Sequence, residues 1–357
     1  MIKETSGNLL QADAQAIVNT VNTVGVMGKG LALQFKKAYP AMFEAYHRAA
    51  KAGELHLGTV QVWPTGQMTG PQYIINFPTK GHWKSSSKLA DIESGLQDLV
   101  DRVRDLRIES IAVPPLGCGN GGLDWSDVRP RIVAAFEQAP DVEVFVYPPN
   151  ATPAAADLVT TAKRPAMTSG RAALVEIVRR YTQQSMTPPG LIESQKLMYF
   201  LQVAGEPLNL RFAASHYGPY ADNLRHVLNA VEGHFLTGYG DGSTKVADAE
   251  PLRLLPGAAE EATTVLDAAV ETRDRIERVL ELASGFESSY GLELLATVHW
   301  IASNGAAADD DDLVKRVRSW SPRKARMFTP HHIHTALDTL RSRGWGSLSD
   351  ESHPSNS

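Results

Sequence analysis

Residues 16–37 set the strongest constraint on what this chain can fold into. Ala16-Ile17-Val18 reads as a short buried strand, and Asn19, Thr20, Asn22 and Thr23 turn it polar. Three glycines follow, Gly25, Gly28 and Gly30, and then Leu31-Ala32-Leu33-Gln34-Phe35-Lys36-Lys37 has helical character. An order of strand, glycine-rich loop and helix can bring backbone N–H groups close to a diphosphate, because glycine has no Cβ to block the approach. The spacing excludes two familiar nucleotide loops. No Gly-Lys-Ser/Thr closes it as in a Walker loop, and the glycines do not fall at G-x-G-x-x-G. Taken alone, the loop reads equally as a plain tight turn.

The segments after it supply the context. A helix is expected over 31–50, interrupted near Pro40, with Gly53 ending it. Residues 59–64 alternate as a strand, and 73–78 form a second one that opens into Thr79-Lys80-Gly81-His82-Trp83-Lys84. Ile92, Leu96, Leu99, Val100 and Val103 make a helical stripe within 89–106. Ser110-Ile111-Ala112-Val113-Pro114 is a strand that ends in a second glycine-rich loop, Leu116-Gly117-Cys118-Gly119-Asn120-Gly121-Gly122-Leu123. A helix over 125–138 and a strand over 142–147 complete the half. Alternating strands and helices imply an α/β fold with a mostly parallel sheet and helices on both faces. Ligands of such sheets bind beyond the carboxyl ends of the strands. All three special segments follow strands, so they are expected to converge on one cleft.

The chain has 357 residues, comfortable for two domains. No apolar run approaches the roughly 20 residues of a membrane span, and the amino terminus has no apolar signal core, so a cytoplasmic protein with no membrane partner is expected. A single cysteine, Cys118, rules out an internal disulfide and a cysteine-based zinc site. The net charge of −5 argues against a protein that coats nucleic acid, though not against a local basic groove. Residues 151–170, rich in Pro, Ala and Thr, read as a linker. Beyond it the character changes to helices over 171–184, 191–204, 224–231, 260–284 and 292–302, with a loop at 215–220: a mainly α-helical domain over 171–345, followed by a flexible tail at 346–357. His216, His299, His331, His332 and His334 have no carboxylate or cysteine at helpful spacing, so no metal is expected. Residues 241–312 contain 16 acidic and 5 basic residues, and residues 313–345 contain 1 acidic and 8 basic.

Gly7-Asn8-Leu9-Leu10, Ala16-Ile17-Val18-Asn19 and Asn22 with Gly28-Lys29-Gly30, followed by the loop at 117–123, resemble a macrodomain. The resemblance covers about residues 1–150 and implies a three-layer α/β/α fold that binds ADP-ribose, with no cofactor. Phe77-Pro78-Thr79-Lys80 and Gly117-Cys118-Gly119 look like the branch of that family that uses a lysine to cleave ADP-ribosyl bonds. Lys196-Leu197-Met198-Tyr199-Phe200-Leu201-Gln202 and Gly218-Pro219-Tyr220 look like a domain type found in antitoxins. The combination is similar to the DarG antitoxins, whose partners are DarT toxins that ADP-ribosylate thymidine in DNA. The implied partners are therefore ADP-ribose, ADP-ribosylated DNA and a DarT-like toxin.

On this resemblance the ADP-ribose site takes in Asn8, Leu9 and Asn22. It includes Val24, Gly25, Val26, Met27, Gly28, Gly30 and Leu31 of the first loop, and Thr79 before the lysine. Gly117, Cys118, Gly119, Asn120, Gly121, Gly122 and Leu123 form the second loop. Asn22 matches the asparagine at the distal ribose, its amide able to hold a hydroxyl as donor or acceptor; in its own right it also reads as an Asx-turn residue. Asn8 stands where many relatives have an aspartate for the adenine amine. Lys80 is the expected catalytic residue. Its amine can attack the anomeric carbon or, as a cation, stabilise the leaving group. His82 reads as a surface residue or one that assists proton transfer, and Trp83 equally as a packing residue or one that stacks on a nucleobase. The lysine-dependent relatives carry an aspartate near the position of Gly121; here Asn120-Gly121-Gly122 has none, and Asp124 reads as a helix N-cap. Cys118 reads as a packing residue. Two classes of function stay open: a glycohydrolase fused to a toxin-binding domain, or an ADP-ribose reader with the helical half as scaffold.

Overall fold

The structure, a computed structural model, describes residues 1–67, 70–149, 163–244, 246, 248–304 and 307–345. They form two compact units, the first holding the residues up to Lys163 together with Asp241–Ser243 and the second the remainder.

The first unit is the α/β fold expected. Its elements in order are β1 (Ile2–Glu4), β2 (Ala16–Asn22), α1 (Gly30–Ala38), α2 (Pro40–Lys51), β3 (Gln61–Pro64), β4 (Tyr73–Lys80), α3 (Leu89–Asp105), β5 (Ser110–Val113), α4 (Trp125–Phe136) and β6 (Glu143–Val146). The sheet runs β1-β6-β5-β2-β4-β3; every pairing is parallel except that of β3 with β4. Alternate residues of the central strands feed two separate cores, which is what a sheet covered on both faces requires. Ala16 and Val18 of β2 and Ile75 and Phe77 of β4 pack with Ile92, Leu96 and Leu99 of α3 and Val128 and Ile132 of α4. Ile17, Val21 and Ile74 face the other way, toward Phe35, Met42 and Tyr46 of α1 and α2. The layers approach closely: a Cβ on Gly95 of α3 would lie 2.4 Å from the Phe77 ring.

A ladder of buried amides fixes the register across the sheet. Asn19 donates to Asn76 (2.8 Å), and Asn76 donates to Gln61 (2.9 Å), the three residues standing opposite one another on β2, β4 and β3. Sliding any strand by one residue would leave these amides buried without partners, a penalty of about 1–3 kcal/mol each.

The helix expected over 31–50 is two helices, broken at Tyr39 with Pro40 at the first position of the second. β4 runs to Lys80, two residues beyond the expected end, so Thr79 and Lys80 lie on the strand and not in a turn. A proline inside a strand is tolerated there because β3 pairs with β4 only over Tyr73–Asn76. From Phe77 onward that edge of β4 has no ladder for Pro78 to interrupt.

The second unit has its own core and is mainly helical: α5 (Ser169–Ser185), α6 (Leu191–Val203), α7 (Leu224–Val231), α8 (Ala258–Asp267), α9 (Val270–Ala283), α10 (Ser289–Ser303), α11 (Asp310–Ser319), α12 (Pro322–Met327) and α13 (Pro330–Ser342). Two short antiparallel pairs accompany them, β7 (Phe212–Ser215) with β8 (Gly218–Ala221) and β9 (Leu236–Thr237) with β10 (Arg253–Leu254). The expected loop at 215–220 is thus a tight hairpin whose turn is His216-Tyr217, with Gly218 at φ +87°. The single helix expected over 260–284 is α8 and α9, separated at Ala268-Ala269. Residues 151–162 of the expected linker and the expected tail lie outside the described residues. No helix is long and apolar enough to cross a membrane among the described residues.

Candidate active site

β5, β2 and β4 are neighbours and parallel, so their carboxyl ends open on the same edge of the sheet. The segments after them, residues 23–29, 114–124 and 81–88, are therefore brought together as expected. The backbone ties two of them directly: Thr23 N–H donates to the Lys80 carbonyl (3.2 Å) and Thr23 Oγ1 to the Gly81 carbonyl (2.8 Å).

Asn22 closes β2 and builds the first loop. Its Nδ2 donates to the Val26 carbonyl (2.6 Å), while its Oδ1 accepts from Val24 N–H and Val26 N–H (3.2 Å each) and from the Tyr46 hydroxyl (3.2 Å). The acceptor is filled, so only a donor role through the second amide hydrogen is left for a ligand. The Asx-turn reading of Asn22 is what the geometry shows. Tyr46, which sequence reasoning missed, also donates to the Asn22 carbonyl (2.6 Å); burial pushes its phenol pKa up. In the sequence it is one more apolar position of α2. Gly25, at φ +80°, could not carry a side chain, since its Cβ would lie 2.9 Å from Ala50 Cβ. Met27 is buried in the core beside α1 and α2, a packing residue, and Leu31 is only partly buried against the same core. Val24 and Val26 are exposed. Among the described residues, Gly28 and Lys29 have no backbone acceptor for their N–H groups, and Gly30 begins α1. Gly30 N–H itself donates to the Asp241 carbonyl (3.0 Å), so the free donors at this helix start are those of Gly28 and Lys29.

The second loop folds on itself. Leu123 N–H donates to the Gly117 carbonyl and Gly122 N–H to the Gly119 carbonyl (3.1 Å each). Among the described residues the N–H groups of Gly119, Asn120 and Gly121 find no backbone acceptor. They form the second set of free donors. The two loops meet, because Asn120 Nδ2 lies 3.5 Å from where a Cβ of Gly30 would stand. Cys118 is half-buried, and burial together with the Asp124 charge pushes its thiol up to about 11, which suits packing and not nucleophilic attack.

Ser87 was missed by the sequence reading and lies against this loop. Its N–H donates to the Gly121 carbonyl (2.9 Å), and its buried Oγ has no hydrogen-bond partner among the described residues. A Cβ on Gly121 would fall 2.3 Å from that Oγ and 2.4 Å from the Gly117 carbonyl. No aspartate fits at 121 in this loop conformation.

Lys80 ends β4, opposite Asn22 on β2. It is only 9% exposed, and its Nζ donates to the Asn120 carbonyl (2.6 Å), crossing from the β4 edge to the second glycine loop. Burial lowers its pKa below the ordinary lysine value. Among the described residues it forms no salt bridge, so no carboxylate offsets that burial. Thr79 is buried and its hydroxyl donates to the Val21 carbonyl (3.3 Å). Asp124 is the N-cap of α4, accepting from Ser126 N–H (2.8 Å) and Ser126 Oγ (2.7 Å), which hold its pKa low. Asn8 Oδ1 caps the short turn Leu9–Gln11 by accepting Leu10 N–H (3.0 Å), and Leu9 is buried. The arrangement offers two sets of backbone donors and one desolvated amine hydrogen-bonded to the second glycine loop.

Comparison with known proteins agrees with this geometry. A Macro domain model matches residues 18–132. The chain is 47% identical over 351 residues to a DNA ADP-ribosyl glycohydrolase of Mycobacterium tuberculosis, spanning 95% of this chain and 99% of that one. It is 46% identical over 344 residues to the DNA ADP-ribosyl glycohydrolase of Thermus aquaticus, spanning 96% and 94%. A DNA ADP-ribosyl transferase–DNA ADP-ribosyl glycohydrolase fusion protein of Thermosipho africanus is 34% identical over 158 residues, 40% of each chain. At this identity over nearly its whole length, the chain belongs to the DarG family of macrodomain DNA ADP-ribosyl glycohydrolases.

Proposed function

We propose that this chain hydrolyses the bond between ADP-ribose and thymidine in DNA, and that its second unit binds and inhibits a DarT-like transferase. The observation that carries the first part is the Lys80 amine, buried, lowered in pKa and held between two loops with free N–H donors. The loops hold the diphosphate, which sets the distal ribose before Lys80. The amine attacks the anomeric carbon as the bond to the base nitrogen breaks. The base leaves with the electron pair and takes up a proton. Water then hydrolyses the lysine-linked ADP-ribose and frees the amine. DNA as the carrier is supported by the names of the two long relatives.

Incubated with an ADP-ribosylated thymidine oligonucleotide, the full chain is expected to release free ADP-ribose faster than from ADP-ribosylated protein in parallel. Gly119→Glu should abolish that release and weaken ADP-ribose binding, read by calorimetry, at least about tenfold, because its carboxylate would meet the diphosphate. A Cβ at Gly119 meets no atom within 4 Å, so the variant should fold. Binding of ADP-ribose with the oligonucleotide left intact would make the chain a reader; no binding at millimolar ligand would remove the site altogether.

For the second part, the Thermosipho africanus relative joins a transferase and a glycohydrolase in one chain. The acidic stretch over 241–312 suits a partner with a DNA-binding groove. Much of that charge is paired within the unit: Glu277 with Arg180, Asp310 with Arg341, Asp312 with Arg316, and Glu293 with Arg323 and Lys324. Glu260, Asp274, Glu281 and Asp311 are exposed and form no ion pair among the described residues, so they are among the acids available to a partner. Lysine replacements at these four positions are expected to reduce capture of a DarT-like transferase at least about tenfold, with wild-type capture weakening as salt rises. Capture that is indifferent to both would remove the electrostatic account.

A further inference from the structure

The segment 81–88, Gly-His-Trp-Lys-Ser-Ser-Ser-Lys, has no role in the chemistry above, yet it is held at both ends by the two loops of the site. At its start the Gly81 carbonyl accepts from Thr23 Oγ1 (2.8 Å). At its end Ser87 N–H donates to the Gly121 carbonyl (2.9 Å). Between these anchors a tight turn is made by His82: its carbonyl accepts from Ser85 N–H (2.9 Å) and its Nδ1 from Lys84 N–H (3.2 Å). The turn tip is Trp83, 47% exposed, the largest side chain among the exposed hydrophobic residues of the protein. Its ring has His82 at 5.2 Å on one side and the Lys84 ammonium at 4.9 Å from its centroid. Lys84 and Lys88 are exposed, and neither forms a salt bridge among the described residues.

A folding role does not call for so large a ring at the tip of an exposed turn. Presented instead on a clamped turn with cations on the same short segment, it matches the way single-stranded nucleic acid is held, with a base stacked on an aromatic face and phosphates met by lysines. An ADP-ribosylated base is bonded to its strand, so the nucleotides beside it must pass close to the mouth of the site. We infer that Trp83, with Lys84 and Lys88, is the platform on which the DNA strand flanking the modified thymidine stacks, and that it sets the preference for DNA over a bare modified nucleoside. The inference rests on the activity proposed above. Trp83 acts on substrate affinity and not on the reacting atoms, so its loss should appear in KM.

The test compares two substrates with the full-length protein: a single-stranded oligonucleotide with one ADP-ribosylated thymidine, and ADP-ribosylated thymidine nucleoside. Wild type should favour the oligonucleotide in kcat/KM, and raising salt should erode that preference. Trp83→Ala should lower the ratio of the two kcat/KM values about tenfold or more, through KM for the oligonucleotide. Trp83→Phe should restore most of it, and Lys84→Glu with Lys88→Glu should flatten the salt dependence. Equal KM for both substrates in wild type would overturn the platform while leaving the glycohydrolase reading intact. A Trp83→Ala effect of the same size on both substrates would make Trp83 a structural residue and overturn it as well. If wild type cleaves neither substrate, the activity itself is wrong and the platform falls with it.

Discussion

Replacing Lys80 by alanine is expected to lower the turnover of ADP-ribosylated DNA about a thousandfold, the usual scale for removing one catalytic group. ADP-ribose affinity should stay within a few fold. The proposed donors for the diphosphate are backbone N–H groups of Gly28, Lys29 and Gly119–Gly121, and the amine holds only the Asn120 carbonyl among these segments. In the free protein the substitution removes the hydrogen bond to the Asn120 carbonyl, worth about 1 kcal/mol of stability. The two roles open to the amine separate by pH and by one further variant. A nucleophile must be neutral. Burial lowers the Lys80 pKa, so the neutral fraction grows from a lower pH than for an ordinary lysine, and the rate should rise with pH through that pKa and then level. A cation that steadies the leaving group would give the opposite slope. Lys80→Arg keeps the charge and cannot lose it, so it should be as inactive as alanine under the first role and partly active under the second. Single-turnover rates from about pH 6 to 10 for the three proteins decide it; wild-type turnover by Lys80→Ala would end the assignment.

The loop geometry leaves no room for an acid at position 121 beside Lys80. The sequence has no acid at 120–122, and the structure gives the reason: Ser87 Oγ and the Gly117 carbonyl occupy the space that any side chain at Gly121 would need. Nothing local in the sequence signals this, since Ser87 reads as one of three serines in a polar run. What was legible followed from chemistry that is local in sequence. The glycines at 25–30 and 117–122 and the strands before them fixed the cleft, because strand, loop and helix order decides which ends of the sheet share an edge. Local reading failed where a distant partner decides. Asn22 looked free for a ribose, but Tyr46 and two amide N–H groups fill its acceptor. Thr79 was expected in a turn, but β4 continues through it and its hydroxyl bonds to the Val21 carbonyl. Residues 241–312 are strongly acidic by count, yet Arg180 and Arg341, far off in sequence, neutralise part of that charge.

The same limit hid the charged core of the second unit. Lys196 sits in the run Lys-Leu-Met-Tyr-Phe-Leu-Gln, where a lysine reads as the solvent side of a helix; it is fully buried, as is Lys324. Four elements meet there. Lys324 of α12 donates to Glu293 (2.5 Å) and Thr297 (3.1 Å) of α10, Arg323 donates to both oxygens of Glu293 (2.6 and 3.1 Å), and Lys196 of α6 donates to the Pro219 carbonyl of β8 (2.6 Å). Gly218 brings the hairpin in, a Cβ there standing 2.8 Å from Thr297 Oγ1. Burial alone would raise the Glu293 carboxyl, but hydrogen bonds from Arg323 and Lys324 outweigh it and hold the pKa low. Burial pushes Lys196 down to about 7, with Glu293 opposing and Lys324 assisting that shift. One carboxylate thus serves two buried lysines. Glu293→Gln removes the charge with little change of shape and should destabilise the second unit by about 3–5 kcal/mol, the scale for breaking a buried pair. The sign with pH follows from the lysines. Without Glu293 their pKa values fall further, so the penalty is full at about pH 6 and shrinks by about pH 9, where Lys196 can be buried neutral. Lys196→Met should act in the other direction, raising stability at about pH 6 more than at about pH 9, because a folded pKa below the unfolded value makes the native state hold a proton at a loss. Denaturant midpoints of the second unit at both pH values test the pair of claims. A Glu293→Gln midpoint equal to wild type would mean that the carboxylate does not hold this core together.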